Sequence, residues 1–197
     1  MKLGIIIGSI RDGRKGEAVG RWVEAGTRRH TTDDVEFEMI DLRGFDVPLL
    51  TSGTHPMAAD RRYESEAVRA WGRAVDACDG FVFVTPEYNH GLPGGFKNAV
   101  DSIGPEWMGK TVAFVSYGSA GGVRAVEQWR QSVANFRMVD VRAQVTLSIF
   151  TDFADDGEVA SDDRLEGDLD ATVDELVSMT AVLHAGREAD PDADGGR

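Results

Sequence analysis

The chain has 197 residues, a formal net charge of −13 and one cysteine, Cys78. The length suits one domain with a full core, and the acidity excludes binding to nucleic-acid phosphates or to an anionic membrane surface. A single thiol allows neither an internal disulfide nor a thiolate cluster for zinc or iron–sulfur, and a buried, inert role is expected for it.

The first apolar run, Leu3-Gly4-Ile5-Ile6-Ile7, reads as a buried strand. It is too short for a signal peptide, Arg11 interrupts it, and no later stretch approaches membrane-spanning length, so a cytoplasmic protein is expected. A glycine-rich turn, residues 8–16, leads to a helix over 17–28, in which Ala18, Val19, Trp22 and Val23 recur at helical spacing. Residues 35–41 read as an edge strand with Glu36 and Glu38 outward. Residues 42–61, with Pro48, Gly53 and Pro56, read as a long surface loop. A second helix is predicted over 63–78, with Ala67, Val68, Trp71, Val75 and Cys78 inward.

The stretch that organises the chain follows. Phe81-Val82-Phe83-Val84 is a buried strand that stops at Thr85-Pro86, where proline ends the ladder. The polar turn Glu87-Tyr88-Asn89-His90-Gly91 comes next, and Pro93 opens a helix over 93–103. A fourth strand is predicted over 111–115, a glycine turn over 116–122, a fourth helix over 123–136 and a fifth strand over 141–150. Beyond an acidic linker, Leu165, Leu169, Val173, Leu176, Val177 and Leu183 outline a last helix. Residues 1–185 are expected to form one domain and 186–197 a disordered acidic tail.

Alternation of strands and helices gives a parallel sheet covered on both faces. The turns richest in glycine and hydrogen-bonding groups follow strands one, three and four. In a 2-1-3-4-5 sheet those strands are neighbours and their turns form one rim; in a 3-2-1-4-5 sheet the third would be stranded. The glycine distribution therefore favours 2-1-3-4-5.

The first turn ends at a helix start, where free N–H groups and the helix dipole favour an anion. Ser9 adds a hydroxyl, and Arg11, Arg14 and Lys15 add positive charge that a bare helix N-terminus disfavours and a bound phosphate would balance. It is not a P-loop: Gly8 and Gly13 have the spacing, but Arg14-Lys15 follow and no hydroxyl is placed for magnesium. The dinucleotide fingerprint G-x-G-x-x-G is absent from this turn, and Asp41 reads as a structural acid at a strand end. In the second turn, Tyr88 and the Asn89 amide suit the face and edge of a heteroaromatic ring. Glu87 lacks a partner carboxylate and His90 stands alone, so neither is given acid–base work. Lys97 and Asn98 read as packing or subunit-contact residues. The third turn, Ser116-Tyr117-Gly118-Ser119-Ala120-Gly121-Gly122, lets backbone approach a ligand closely.

Gly8-Ser9-Ile10-Arg11, Pro86-Glu87-Tyr88-Asn89 with Pro93-Gly94-Gly95-Phe96-Lys97-Asn98-Ala99, and Gly118-Ser119-Ala120-Gly121-Gly122 together resemble the NADPH-dependent FMN reductase family, over residues 1–150. The resemblance implies a flavodoxin-like three-layer sandwich, bound FMN, NADPH or NADH as reductant, and a homodimer or homotetramer. It places the FMN phosphate at Ser9, Arg11 and the turn Arg14, Lys15, Gly16 and Glu17. The isoalloxazine ring would meet Pro86, Glu87, Tyr88 and Asn89, and its pyrimidine side Ser116, Gly118, Ser119, Gly121 and Gly122. Many members have small polar residues where this chain has Arg14 and Gly16. The expected activity is two-electron transfer from NAD(P)H through flavin to free flavin, a quinone, an azo compound or a metal oxyanion. The absence of a triad, an acid–base pair or a metal cluster from the sequence accords with chemistry carried by a cofactor. The alternatives are a non-catalytic flavodoxin-type electron carrier, and a phosphotransferase working through the first turn.

Overall fold

The computed structural model describes residues 1–189. Its strands are β1 (Lys2–Ile7), β2 (Glu36–Asp41), β3 (Gly80–Pro86), β4 (Thr111–Gly118) and β5 (Val139–Ser148). Its helices are α1 (Gly16–Thr27), α2 (Pro56–Ala59), α3 (Glu66–Asp76), α4 (Gly94–Asp101), α5 (Val123–Ala134) and α6 (Asp163–Ala189). All strands run parallel in one sheet, in the order β2-β1-β3-β4-β5. The order inferred from the glycine-rich turns is the one observed.

Alternation along the strands sends two different sets of side chains to the two faces. One face is aromatic. Phe81, Phe83 and Phe114 meet Trp71 of α3, Phe96 of α4 and Trp129 of α5, with Trp107 among them, and all seven are fully buried. Each of these indoles finds an acceptor: Trp71 Nε1 donates to Ala99 O at 2.9 Å, Trp107 Nε1 to Val100 O at 3.1 Å and Trp129 Nε1 to Thr85 Oγ1 at 3.0 Å. The other face is aliphatic. Leu3, Ile5, Val82, Val84, Val115, Val145 and Leu147 pack under Val19 and Val23 of α1 and Leu165, Leu169, Val173 and Leu176 of α6. Two glycines permit close approach: a Cβ on Gly8 would fall 2.0 Å from the Phe96 ring, and one on Gly20 would fall 2.7 Å from Ile7.

Several expected boundaries move. The segment 42–61 is not an uninterrupted loop: it holds a 3₁₀ turn, Leu42–Phe45, and the short α2. The second helix begins at Glu66 rather than Tyr63, because the Ser65 hydroxyl caps it by accepting the Val68 N–H at 3.5 Å. Pro93 is the cap of α4 rather than part of its first turn, and α4 ends at Asp101. Strand β4 runs to Gly118, and β5 spans Val139–Ser148, starting and ending two residues earlier than predicted. Helix α6 continues through Ala189, so 186–189 are helical, and the rest of the tail expected to be disordered lies outside the described residues.

Lys97 pairs with Asp101 one turn along α4 at 2.6 Å. Asn98 holds the 42–61 segment, donating to Pro48 O at 2.8 Å and accepting the Leu50 N–H at 2.9 Å. Cys78 is buried, and burial pushes its thiol up to about 11. No helix among the described residues is long and apolar enough to cross a membrane.

Candidate functional site

Adjacent strands bring the three glycine-rich turns together at their carboxyl ends, where ligands bind in open α/β sheets. The turns are tied directly: Ser9 Oγ lies 2.7 Å from Tyr88 Oη, and the Glu87 N–H donates to Tyr117 O at 3.0 Å. Between them opens a cleft of about 320 Å³. Of the residues nominated from sequence, Ser9, Arg11, Arg14, Lys15, Pro86, Glu87, Tyr88, Gly118 and Ser119 line it. Gly16, Glu17, Asn89, Ser116, Gly121 and Gly122 do not.

The first turn has more donors than acceptors. The backbone N–H groups of residues 9–13 make no hydrogen bond among the described residues, and α1 starts without a side-chain cap. Such a turn suits an anion. Its three cations have different fates. Arg14, with a side chain 2% exposed, bridges Asp41 and Glu17 and also donates to Ser9 O. Its guanidinium is thus spent on bracing the turn, and Glu17 is its partner; desolvation opposes the charge, but Asp41 and Glu17 outweigh it and raise the Arg14 pKa. Asp41 also accepts the Arg43 N–H at 3.1 Å, the structural part expected of it. Among the described residues Arg11 and Lys15 make no ion pair and rest against rings instead, Arg11 5.5 Å from the Tyr88 centroid and Lys15 4.1 Å from that of Phe153. These two charges remain available to a ligand.

In the second turn the Glu87 carboxylate is also committed. It accepts from the Arg124 N–H at 3.1 Å and from Arg124 Nε at 2.6 Å, so it sits on the N-terminus of α5, where the helix dipole favours negative charge. Asn89 and His90 both have positive φ, 50° and 67°, and form the centre of a tight turn closed by paired Tyr88–Gly91 hydrogen bonds of 3.1 Å. Asn and His are among the non-glycine residues that most readily adopt this region. Gln128 holds the turn down, donating to His90 O and accepting the Leu92 N–H. The Asn89 side chain is exposed outside the cleft.

The third turn depends on Gly121 and Gly122, with φ of +70° and +78°. A Cβ on Gly122 would stand 2.8 Å from Ser116 Cβ, and one on Gly121 2.9 Å from Thr146 Cβ. Ser116 lies inside β4, fully buried, and donates to Gly121 O at 2.7 Å. These three shape the turn from behind, leaving Gly118 and Ser119 at the cleft.

Sequence reasoning missed four contributors. Tyr117, Gly13 and Ile149 line the cleft. Ile149 follows β5, the neighbour of β4, so the rim argument itself could have found it. Tyr117 ends a buried strand, and only the fold turns it toward the first turn. The fourth is the acidic linker. Phe153 pairs with Val159, its ring lies 6.5 Å from that of Tyr117, and Glu158 pairs with Arg21 at 2.5 Å. Trp22 Nε1 donates to Ser161 and Glu166, and Asp162 caps α6 by accepting the Leu165 N–H at 2.8 Å. The linker thus closes one side of the rim over α1. Among the described residues, no group of three His, Cys, Asp or Glu side chains is placed to hold a metal ion.

Comparison with known proteins agrees with this geometry. The model of the NADPH-dependent FMN reductase family matches residues 1–152. An NAD(P)H-dependent FMN reductase of Nectria sp is 37% identical over 134 residues, 67% of this chain and 67% of its own length. An NADPH azoreductase of a Bacillus strain is 29% identical over 165 residues, covering 82% of this chain and 84% of the relative. In structure, the flavoenzyme NAD(P)H:(acceptor) oxidoreductase FerB of Paracoccus denitrificans superposes with a TM-score of 0.67 at 20% identity, over 90% of this chain and 97% of that one, which establishes the shared fold. The family match spans every strand and all three turns of the rim, and the chain belongs to the NADPH-dependent FMN reductase family.

Proposed function

We propose that the rim cleft binds FMN, phosphate toward the first turn and ring between the second and third, and that the protein passes electrons from NAD(P)H to a small-molecule acceptor. The observation that carries this is the excess of donors in one place: unused N–H groups of residues 9–13, an uncapped α1 and the uncommitted charges of Arg11 and Lys15. A phosphate monoester supplies the acceptors and charge that these groups lack.

When bound, FMN supplies the two-electron chemistry. The residues of the chain bind and orient it. Tyr88, anchored by Ser9, offers a ring face beside the cleft. The Ser119 and Ala120 N–H groups have no partner among the described residues and suit the polar edge of a ring. Donors aimed at a site where negative charge grows on reduction favour the reduced state. Glu87, bound to Arg124, is held away from proton transfer. The acceptor belongs to the flavin, quinone or azo class named for the relatives. A homodimer or homotetramer would cover Leu49 and Phe150, which are 77% and 75% exposed.

The test is the visible spectrum of the purified protein with FMN, followed by anaerobic addition of NADPH. The expected result is a perturbed flavin spectrum that bleaches, then recovers with a quinone. A protein that leaves the FMN spectrum unchanged at high micromolar concentration would remove the reading. Replacing Tyr88 by alanine is expected to change acceptor turnover while leaving the fold intact, as judged by circular dichroism.

A further inference from the structure

Tyr117 is 5% exposed and lines the cleft, and its hydroxyl is the one buried side-chain polar atom among the described residues without a hydrogen-bond partner. Buried polar groups are almost always paired, so an exception calls for an explanation. Ser9 and Tyr88 lie close enough to act on it, Ser9 as a hydrogen-bonding neighbour, but the Ser9 hydroxyl is bonded to Tyr88 Oη at 2.7 Å and neither meets Tyr117 with hydrogen-bond geometry. The hydroxyl is pressed against the start of α1: a Cβ on Gly16 would stand 2.8 Å from it. It therefore belongs to the end of the cleft with the unused N–H groups and Lys15. Burial, with Tyr88 beside it, drives the phenol well above its ordinary pKa, so it stays a neutral O–H donor; the neighbouring Ser9 hydroxyl, then Arg14 and Arg11, act on it in the opposite sense, so it also sits within the positive field of the two arginines. A neutral donor among cations and free N–H groups is fitted to an anionic oxygen.

We infer that the Tyr117 hydroxyl donates to the phosphate of the bound flavin and sets the preference for FMN over the unphosphorylated riboflavin. This rests on the FMN reading above. Gly16 is its complement: a side chain there would occupy the space beside the hydroxyl. In a chain with Arg14 turned away to Asp41, the hydroxyl supplies a side-chain donor to the phosphate that Arg14 does not.

The test measures dissociation constants for FMN and riboflavin in wild type, Tyr117→Phe and Gly16→Ala, with melting temperatures of the flavin-free proteins. Tyr117→Phe should bind FMN about ten- to a hundredfold more weakly and riboflavin unchanged, because a hydrogen bond to a charged group is lost. Its flavin-free melting temperature should hold or rise, since an unpaired buried hydroxyl has been removed. Gly16→Ala should show the same phosphate-specific loss, which keeps the inference testable if Tyr117→Phe folds poorly. Unchanged FMN affinity in both variants, or equal losses for FMN and riboflavin, would overturn the role of Tyr117 and leave the FMN site standing. Wild type that binds neither flavin would instead remove the proposed function, and this inference with it.

Discussion

The two ends of the sheet are both rich in polar groups, yet only one has hydrogen-bonding capacity left over. At the amino ends of the strands every charge in the central cluster is used. Asp79 accepts the Lys2 N–H and Arg187 Nη2 at 2.9 Å and lies 2.9 Å from His184 Nδ1. Lys110 Nζ donates to the last carbonyls of α3, Val75 O at 2.9 Å and Asp76 O at 3.1 Å. At the carboxyl ends, the N–H groups of residues 9–13, Arg11, Lys15 and the Tyr117 hydroxyl have no acceptor among the described residues. The larger hollow is at the amino end, about 680 Å³ against about 320 Å³. Volume therefore does not distinguish the site here; unsatisfied donors do.

Changes at the amino end should alter stability alone, and changes at the carboxyl end should alter ligand binding. The largest effect is expected at Lys110, whose pKa burial lowers to about 8. Its folded value lies below the ordinary ~10.4, so the charged form is disfavoured by folding. That cost is full below pH 8 and is relieved as pH rises toward 10.4. The stability of wild type relative to Lys110→Met should therefore rise by about 2–3 kcal/mol between those values, read by urea denaturation at a series of pH. A flat difference would mean that Lys110 is solvated.

Gly122→Ala comes next. Its φ of +78° and a Cβ 2.9 Å from Tyr117 N leave no room, and the expected loss is about 2–3 kcal/mol together with weakened FMN binding. Asp79→Ala removes the acceptor of the Lys2 N–H and of Arg187 Nη2 and should cost about 1–3 kcal/mol with FMN affinity unchanged. If FMN binding fell with it, the separation of the two ends would fail. Arg11→Ala should do the reverse. The denaturation midpoint should hold, and FMN affinity should fall by about 1.5 kcal/mol as a charge-assisted contact is lost. Equal affinity in that variant would take Arg11 out of the site.

The sequence displayed the site by its glycines and concealed it by its side chains. Local chemistry sufficed for the sheet order, because only adjacency of strands one, three and four makes one rim of three such turns. It did not show which cation faces the ligand. Arg14 and Arg11 look alike in the turn, but Arg14 folds back to Asp41, 27 residues away. Ser116 looked like a turn residue until β4 proved to run on to Gly118. Tyr117 stood in the third turn by sequence, and only the extension of β4 to Gly118 sets its hydroxyl beside the start of α1. The acidic linker had no role that its sequence revealed, and in the fold Phe153 and Glu158 pack it onto α1 and the rim. In each case the missing information was a long-range pairing, which residue type and spacing do not encode.

The most direct test of the central claim is a crystal structure of the protein with FMN. The account predicts the phosphate within hydrogen-bonding distance of the N–H groups of residues 9–13 and the ring against Tyr88 and Gly118. Flavin seated elsewhere, as in the cavity of about 310 Å³ between residues 48–56 and α3, would contradict it.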